Sequence, residues 1–117
     1  MREMFKLPEA KIQALRIPKG WTVKHNNLRE INPKTLKQDD DKWFYFTQDL
    51  LQLEHQEKSI LLDLGWYPDV TPEGEFQVQI IQNGNWEQPI RQFTSNDLHE
   101  IVKSIEDVLN QITNNRF

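Results

Sequence analysis

Histidine is the residue type that most often binds metals and transfers protons near neutral pH. The chain has three, His25, His55 and His99, and they form no H-x-H or H-E-x-x-H pair. A metal site on one helix or strand needs such a local pair, because both imidazoles must point to one ion. We therefore predict no metal site and no bound cofactor.

Asp63 has the most unusual position of the acidic residues, because it lies within the apolar segment from Ser59 to Tyr67. A carboxylate in apolar surroundings needs a partner, and its pKa shifts. We expect its side chain to lie on a solvent-facing side of the strand or to cap nearby backbone. The alternative is a pocket between a helix and the sheet, in which Asp63 acts with His55 or Tyr67 on a small ligand.

Other reactive motifs are absent from the sequence. There is no cysteine, which excludes disulfides, thiolate metal sites and a cysteine nucleophile. Ser59, Ser95 and Ser104 all lie outside a G-x-S-x-G motif. The four glycines form neither a phosphate-binding loop nor a dinucleotide fingerprint. The residues therefore favour a protein that is not an enzyme.

Charge and hydropathy limit the partners that the chain can bind. Acidic residues number 18 and basic residues 14, and this net charge of −4 disfavours direct contact with nucleic acid phosphates. No segment approaches the roughly 20 apolar residues of a membrane span. The charged residues between Met1 and Ile17 are not typical of a secretory signal. We expect one cytoplasmic domain over residues 1–117 that binds no membrane.

The sequence predicts mainly strands for the segments that must position these residues. Ser59 to Tyr67 is apolar on both sides at first, which predicts a central strand, and Glu75 to Gln82 alternates between apolar and polar residues. A short last strand is predicted from Pro89 to Phe93. Asp49 to His55 also alternates, and we favour a strand over a helix there.

A helix at the C-terminus is the clearest element. Thr94 or Ser95 is the predicted N-cap, and Asp97 suits the first turn. The apolar residues that follow recur at helical spacing: Leu98, Ile101, Val102, Ile105, Val108, Leu109 and Ile112. This stripe must be buried against the sheet. We therefore predict an α+β fold, an antiparallel sheet of about four to six strands with one long amphipathic helix packed on one face.

The N-terminal third gives weaker patterns. Pro8 to Leu15 predicts a short helix that begins at its proline. Gly20 to His25 and Leu28 to Ile31 suggest a small hairpin about Asn26-Asn27, because asparagine tolerates positive φ. The four consecutive aromatic residues from Trp43 to Phe46 either enter a strand or begin a helix.

Aromatic residues next to turns and acidic residues are the best candidates for contact with a partner. Tryptophan and tyrosine are enriched at the energetic centres of protein interfaces. Neighbouring carboxylates could form an acidic rim that attracts a basic partner. The predicted binding surface consists of Trp66, Tyr67, Asp69, Glu73, Glu75 and Trp86.

The C-terminal half resembles small immunity proteins of bacterial polymorphic toxin systems in the order of its elements. The resemblance rests on Trp66-Tyr67 after the apolar strand, on Phe76 to Ile81, and on the acidic amphipathic helix from Ser95 to Ile112. It implies a cytoplasmic inhibitor that binds and blocks a cognate toxin, often a nuclease, without catalysis of its own. No family binding residue can be assigned to a position of this chain.

The leading hypothesis is thus a non-enzymatic protein-interaction module, an immunity or antitoxin-like inhibitor of a toxin domain that is basic if it binds nucleic acid. One alternative is a small-ligand-binding or enzymatic domain with its pocket near Asp63. Another is a structural subunit that forms a homo-oligomer through an exposed strand edge or through the helix.

Overall fold

The computed structural model describes residues 8–116, so part of the stretch from Met1 to Ile17, in which we expect no secretory signal, lies outside the described residues. It contains a five-stranded antiparallel sheet in which every strand pairs with the next along the chain, followed by one α-helix. This architecture confirms the predicted α+β fold. The elements are β1 Trp21–Asn26, β2 Leu51–His55, β3 Ile60–Tyr67, β4 Glu75–Gln82, β5 Arg91–Ser95 and α1 Leu98–Thr113.

The two sides of the sheet have different environments. Leu53, Leu62 and Ile80 lie opposite one another on neighbouring strands and are completely buried. We call their side the core face, because the apolar stripe of α1 joins the same hydrophobic cluster. Side chains alternate along a strand, so Gln52 and Asp63 point to the other side, which we call the open face.

The N-cap of the helix lies two residues after Ser95, the later of the two predicted caps. Asp97 is the N-cap, and its side chain accepts hydrogen bonds from the backbone N–H groups of His99 and Glu100. The prediction of Thr94 or Ser95 is wrong, because both residues still pair with β4 in the sheet. Ser95 instead donates from its hydroxyl to the carboxylate of Glu100.

Two N-terminal predictions are wrong for the same reason, which is pairing with distant segments. The residues from Pro8 to Leu15 are not helical, since Ile12 forms a β-bridge with Arg29. The hairpin between Gly20–His25 and Leu28–Ile31 does not form, because β1 pairs with β2. The segment from Leu28 to Ile31 pairs with the N-terminal stretch instead, through hydrogen bonds from the Gln13 N–H to the Leu28 carbonyl oxygen and from the Glu30 N–H to the Lys11 carbonyl oxygen.

The aromatic run from Trp43 to Phe46 takes up a third conformation. A 3-10 helix covers Asp41–Tyr45, rather than the predicted strand or α-helix. It directs Trp43 and Phe46 into the core, where their ring centres lie 5.8 and 4.9 Å from that of Trp66. The favoured strand in Asp49 to His55 is confirmed as β2.

Candidate functional site

A row of polar residues crosses the whole open face. The strand register places His25 opposite Gln52, Gln52 opposite Asp63, Asp63 opposite Gln79, and Gln79 opposite Gln92. Each of the five strands therefore contributes one member. Within the row, the Gln52 amide nitrogen Nε2 donates to Asp63 Oδ1 over 3.3 Å.

Much of the hydrogen-bonding capacity of the open face is unused. Gln77, Gln79 and Gln92 make no side-chain hydrogen bond to any other residue within 8–116. Gln77 and Gln79 are half-buried, and Gln92 is exposed. An amide can make several hydrogen bonds through its NH₂ group and its oxygen. This face therefore offers donors and acceptors that only water or a partner can satisfy.

Asp63 lies on the open face and is half-buried. This position agrees with the prediction that its side chain lies on a solvent-facing side of the strand. Burial raises the pKa of its carboxyl above the ordinary value of 3.8, and the charge of Asp49 adds to this effect. The hydrogen bond from Gln52 and the neighbouring His25 act in the opposite direction. The environment therefore opposes the charge that Asp63 carries at neutral pH.

A cavity of about 230 Å³ opens beside Asp63, lined by His25, Asp49, Leu51, Gln52 and Asp63. His25 is held there by a contact of 2.7 Å between Nε2 and the carbonyl oxygen of Asp49. The predicted pocket between helix and sheet is wrong in position, because this cavity lies on the side away from α1. His55 cannot join Asp63, since it is buried on the core face opposite Trp21.

Most of the predicted surface residues lie at one end of β3 and β4 and in the loop that joins these strands, which we call the acidic end. Tyr67, 36% exposed, ends β3 directly opposite Glu75, and the exposed Asp69 and Glu73 follow in the connecting loop. None of the ion pairs among residues 8–116 involves these three carboxylates. Burial raises the pKa of the Tyr67 hydroxyl, and the charges of Asp63, Asp49 and Asp69 raise it further. No ion pair among the described residues therefore offsets the negative charge at this end.

Trp66 does not belong to this surface. Only 1% of it is exposed, and its indole nitrogen Nε1 donates to the carbonyl oxygen of Thr71 over 2.8 Å. The prediction that Trp66 contacts a partner is therefore wrong for this fold, because its side chain points to the core face, one position before Tyr67. Its indole instead fixes the loop between β3 and β4 at Thr71.

Trp86 lies at the opposite end of the open face. It is 48% exposed and borders a groove of about 370 Å³ with Leu61 and Ile81. The two ends of β3, Ile60 and Tyr67, are about 23 Å apart at the rise of an extended strand. The structure therefore places Trp86 and Tyr67 on one face, but at opposite ends of it.

Sequence reasoning missed the residues that surround Asp63. His25, Asp49 and Gln52 come from two other parts of the chain, and only the strand register brings them to one cavity. The alternation of Gln77 and Gln79 with buried Phe76 and Val78 was the available signal for a polar face. It shows which side chains share a face, but not which strands are neighbours.

Comparisons with protein-family models, with curated proteins and with solved structures give no significant match for this chain. Among residues 8–116, no group of three or more histidine and carboxylate side chains is arranged to hold a metal ion. Within the same range, no helix has the length and apolar character needed to cross a lipid bilayer.

The raised pKa of Asp63 gives a stability prediction. Because the folded state binds this proton more tightly than the unfolded chain does, the ionised carboxylate lowers stability above its folded pKa. Wild type regains this stability as the pH falls through the folded pKa towards 3.8. Asp63→Asn should thus raise the free energy of unfolding at neutral pH, by less than about 1 kcal/mol because water screens a half-exposed charge. The gain should vanish in acid.

Urea unfolding of both proteins at neutral and acidic pH measures this difference. Asp107→Asn is the matched control, because Asp107 is exposed and pairs with Lys103 over 2.9 Å. Loss of such a helical pair lowers stability by about 0.3–0.5 kcal/mol, so the control has the opposite sign. A lower stability of Asp63→Asn at neutral pH would mean that the Gln52 hydrogen bond outweighs the desolvation of Asp63.

Proposed function

We propose that this chain is a non-enzymatic protein-interaction module, an immunity-like inhibitor that acts in the cytoplasm and covers a basic surface of its partner with the open face. The observation that carries the proposal is the acidic end around the exposed Tyr67, whose negative charge no ion pair among the described residues offsets. The resemblance to immunity proteins supports the same reading, since a nuclease toxin presents a basic cleft to its substrate phosphates.

Charge and shape both suit this role. Uncompensated carboxylates on one side of a molecule accelerate association with a basic partner, by about tenfold to a thousandfold. The exposed rings of Tyr67 and Trp86 then supply apolar area, which is typical of interface hot spots. A standard interface buries about 800 Å² on each partner, so one partner of ordinary size reaches both ends of the open face.

A second candidate is a small-ligand or enzymatic site at Asp63, and the carboxyl with its raised pKa beside a cavity favours it. Two features weigh against it. The cavity of about 230 Å³ is below the 300–1,000 Å³ typical of small-molecule sites. Of the two predicted helpers, His55 is on the opposite face, and Tyr67 shares the face of Asp63 but does not line the cavity. We therefore place the interaction module first.

Charge reversal at the acidic end should slow association with the partner. Immunity genes normally follow their toxin genes. The partner to test is therefore the C-terminal domain of the protein that the adjacent gene encodes. The triple variant Asp69→Lys, Glu73→Lys and Glu75→Lys should reduce the association rate constant at least tenfold. Stopped-flow fluorescence at low and high salt measures this rate, and the effect should shrink as salt screens the charges.

A control variant with the same charge change separates local from overall effects. Asp39→Lys, Glu57→Lys and Asp107→Lys also reverse three exposed carboxylates, none of which belongs to the stretch from Tyr67 to Glu75. This variant should keep most of the association rate and should still protect cells that express the toxin domain. Equal losses in both triple variants would contradict the proposed surface, and a neighbouring protein that neither binds nor harms cells would contradict the inhibitor role.

A further inference from the structure

The cavity beside Asp63 has more hydrogen-bond acceptors than the described residues use. The carboxylate of Asp63 accepts one hydrogen bond, from Gln52, and the amide oxygen of Gln52 accepts none within residues 8–116. The Asp49 carboxylate also accepts none there, since only its backbone groups are bonded. A ligand of this cavity must therefore be rich in donors.

The cavity also lacks a strong positive charge of its own. His25 is its basic group, and its Nε2 is already in contact with the Asp49 carbonyl oxygen. The neighbouring Lys24 is directed to Glu54, at 3.6 Å. The cavity thus contains two carboxylates, and none of its lining residues is a lysine or an arginine. An occupant that carries positive charge would complement them.

Size and donor geometry narrow the occupant further. A volume of about 230 Å³ is small for a cofactor but sufficient for the end of one long side chain. A guanidinium offers five N–H donors in one rigid plane, so it can serve several acceptors at once, whereas an ammonium acts as a compact point charge. Arginine is accordingly the better match to two carboxylates and one amide oxygen.

We propose that this cavity is the socket for a single arginine side chain of the basic partner, bound by Asp63, Asp49 and the amide oxygen of Gln52. The inference rests on the proposed function, because it names the partner group that the open face recognises. The unused glutamines Gln79 and Gln92 continue the same row and would contact the neighbouring backbone of that partner. The socket thus adds specificity to the long-range attraction of the acidic end.

The socket can be tested without the partner. The probe is N-acetyl-arginine methylamide, titrated to about 50 mM and followed by ¹H–¹⁵N correlation spectra of the whole chain. We expect saturable shifts of the Gln52 side-chain amide and of the backbone amides of Asp49 and Asp63. The citrulline counterpart, which has the same shape without the charge, should give no saturable shift. The lysine counterpart should bind more weakly than the arginine probe.

Asp63→Asn should weaken binding of the arginine probe roughly tenfold, because it removes the charge that strengthens the hydrogen bond. Asp107→Asn should leave the affinity unchanged. Asp63→Asn is expected to be at least as stable as wild type, so unfolding would not explain a loss.

Three results would overturn the socket: no saturable shift, equal binding of the lysine or citrulline probe, or unchanged affinity in Asp63→Asn. If the socket fails while the charge reversal at Asp69, Glu73 and Glu75 still slows association with the toxin domain, the proposed function stands alone. If the arginine probe binds as expected but the neighbouring domain does not bind, the inhibitor role fails and the cation site remains.

Discussion

Replacing Trp66 by alanine should lower the free energy of unfolding by about 3–5 kcal/mol. Its indole lies at the centre of an aromatic cluster, with ring centres 4.9 Å from Phe46, 5.0 Å from Phe76 and 5.8 Å from Trp43. The side chain is almost completely buried, so truncation leaves a large cavity among rigid rings. The surrounding residues belong to two strands and a 3-10 helix, which cannot all move inward to fill it.

The variant has a second effect, in the loop between β3 and β4. Removal of the indole leaves the carbonyl oxygen of Thr71 without the N–H that it accepts over 2.8 Å. That segment carries Asp69 and Glu73, so the acidic end should become less ordered even in molecules that remain folded. Binding in the variant should therefore weaken for an indirect reason, although Trp66 itself touches no partner.

Urea unfolding measured by far-UV circular dichroism gives the stability change, and Trp86→Ala is the control. Trp86 is about half exposed at the other end of the open face, so its truncation should change stability by about 0.5 kcal/mol or less. The two substitutions remove the same side chain from two environments. If Trp66→Ala were as stable as Trp86→Ala, the position of Trp66 in the core would be wrong.

The difference between these tryptophans shows where sequence reasoning stops. Both follow or end an apolar strand and both lie near a turn, so residue type and neighbours do not distinguish them. One position along β3 separates the core face from the open face, because side chains alternate. Tyr67 shares the side of Asp63 and Trp66 lies on the opposite side, and the pairing of Trp66 with the buried Phe76 identifies that side as the core face.

Elements whose apolar residues recur at a regular spacing were predictable, because their signal does not depend on which segment lies next to them. The stripe of α1 and the alternation of β4 depend on contacts with one continuous apolar surface, so each segment carries its own signal. The segment from Pro8 to Leu15 has no such surface. Its conformation depends on backbone hydrogen bonds to distant residues, such as the one from the Gln13 N–H to the Leu28 carbonyl oxygen.

The candidate socket depends on register in the same way. Asp63 was recognisable from its apolar neighbours, but the identity of its cross-strand neighbours was not. His25 reaches the row because the register of β1 shifts between Val23 and His25. A bulge of this kind changes which side chains face outward, and neither residue signals it.

Gly65→Ala should destabilise the fold by about 1–3 kcal/mol and should also disturb the socket. A Cβ at residue 65 would overlap the backbone carbonyl oxygen of Gln48 and would lie 2.7 Å from Tyr67 Cε2. The Gln48 backbone cannot withdraw easily, because it is held on both sides. The Trp66 N–H donates to the Thr47 carbonyl oxygen over 2.9 Å, and the Leu50 N–H donates to that of Leu64 over 3.0 Å.

The socket is disturbed because Gln48 directly precedes Asp49. A shift of that backbone would move the Asp49 carboxylate and the carbonyl oxygen that holds His25 in place. Affinity for the arginine probe should therefore fall in Gly65→Ala, even at temperatures where the protein remains folded. The relevant measurements are thermal unfolding and the same spectroscopic titration.

Gly84→Ala is the matched control, since a Cβ there meets no atom within 4 Å but must adopt a φ of +70°. That backbone strain costs about 1 kcal/mol and lies far from the socket, so stability should fall slightly and probe affinity should not change. If Gly65→Ala matched this control in both measurements, the Gln48 segment would not be held against β3. The geometry of the socket would then have no rigid basis, because Asp49 would be free to leave it.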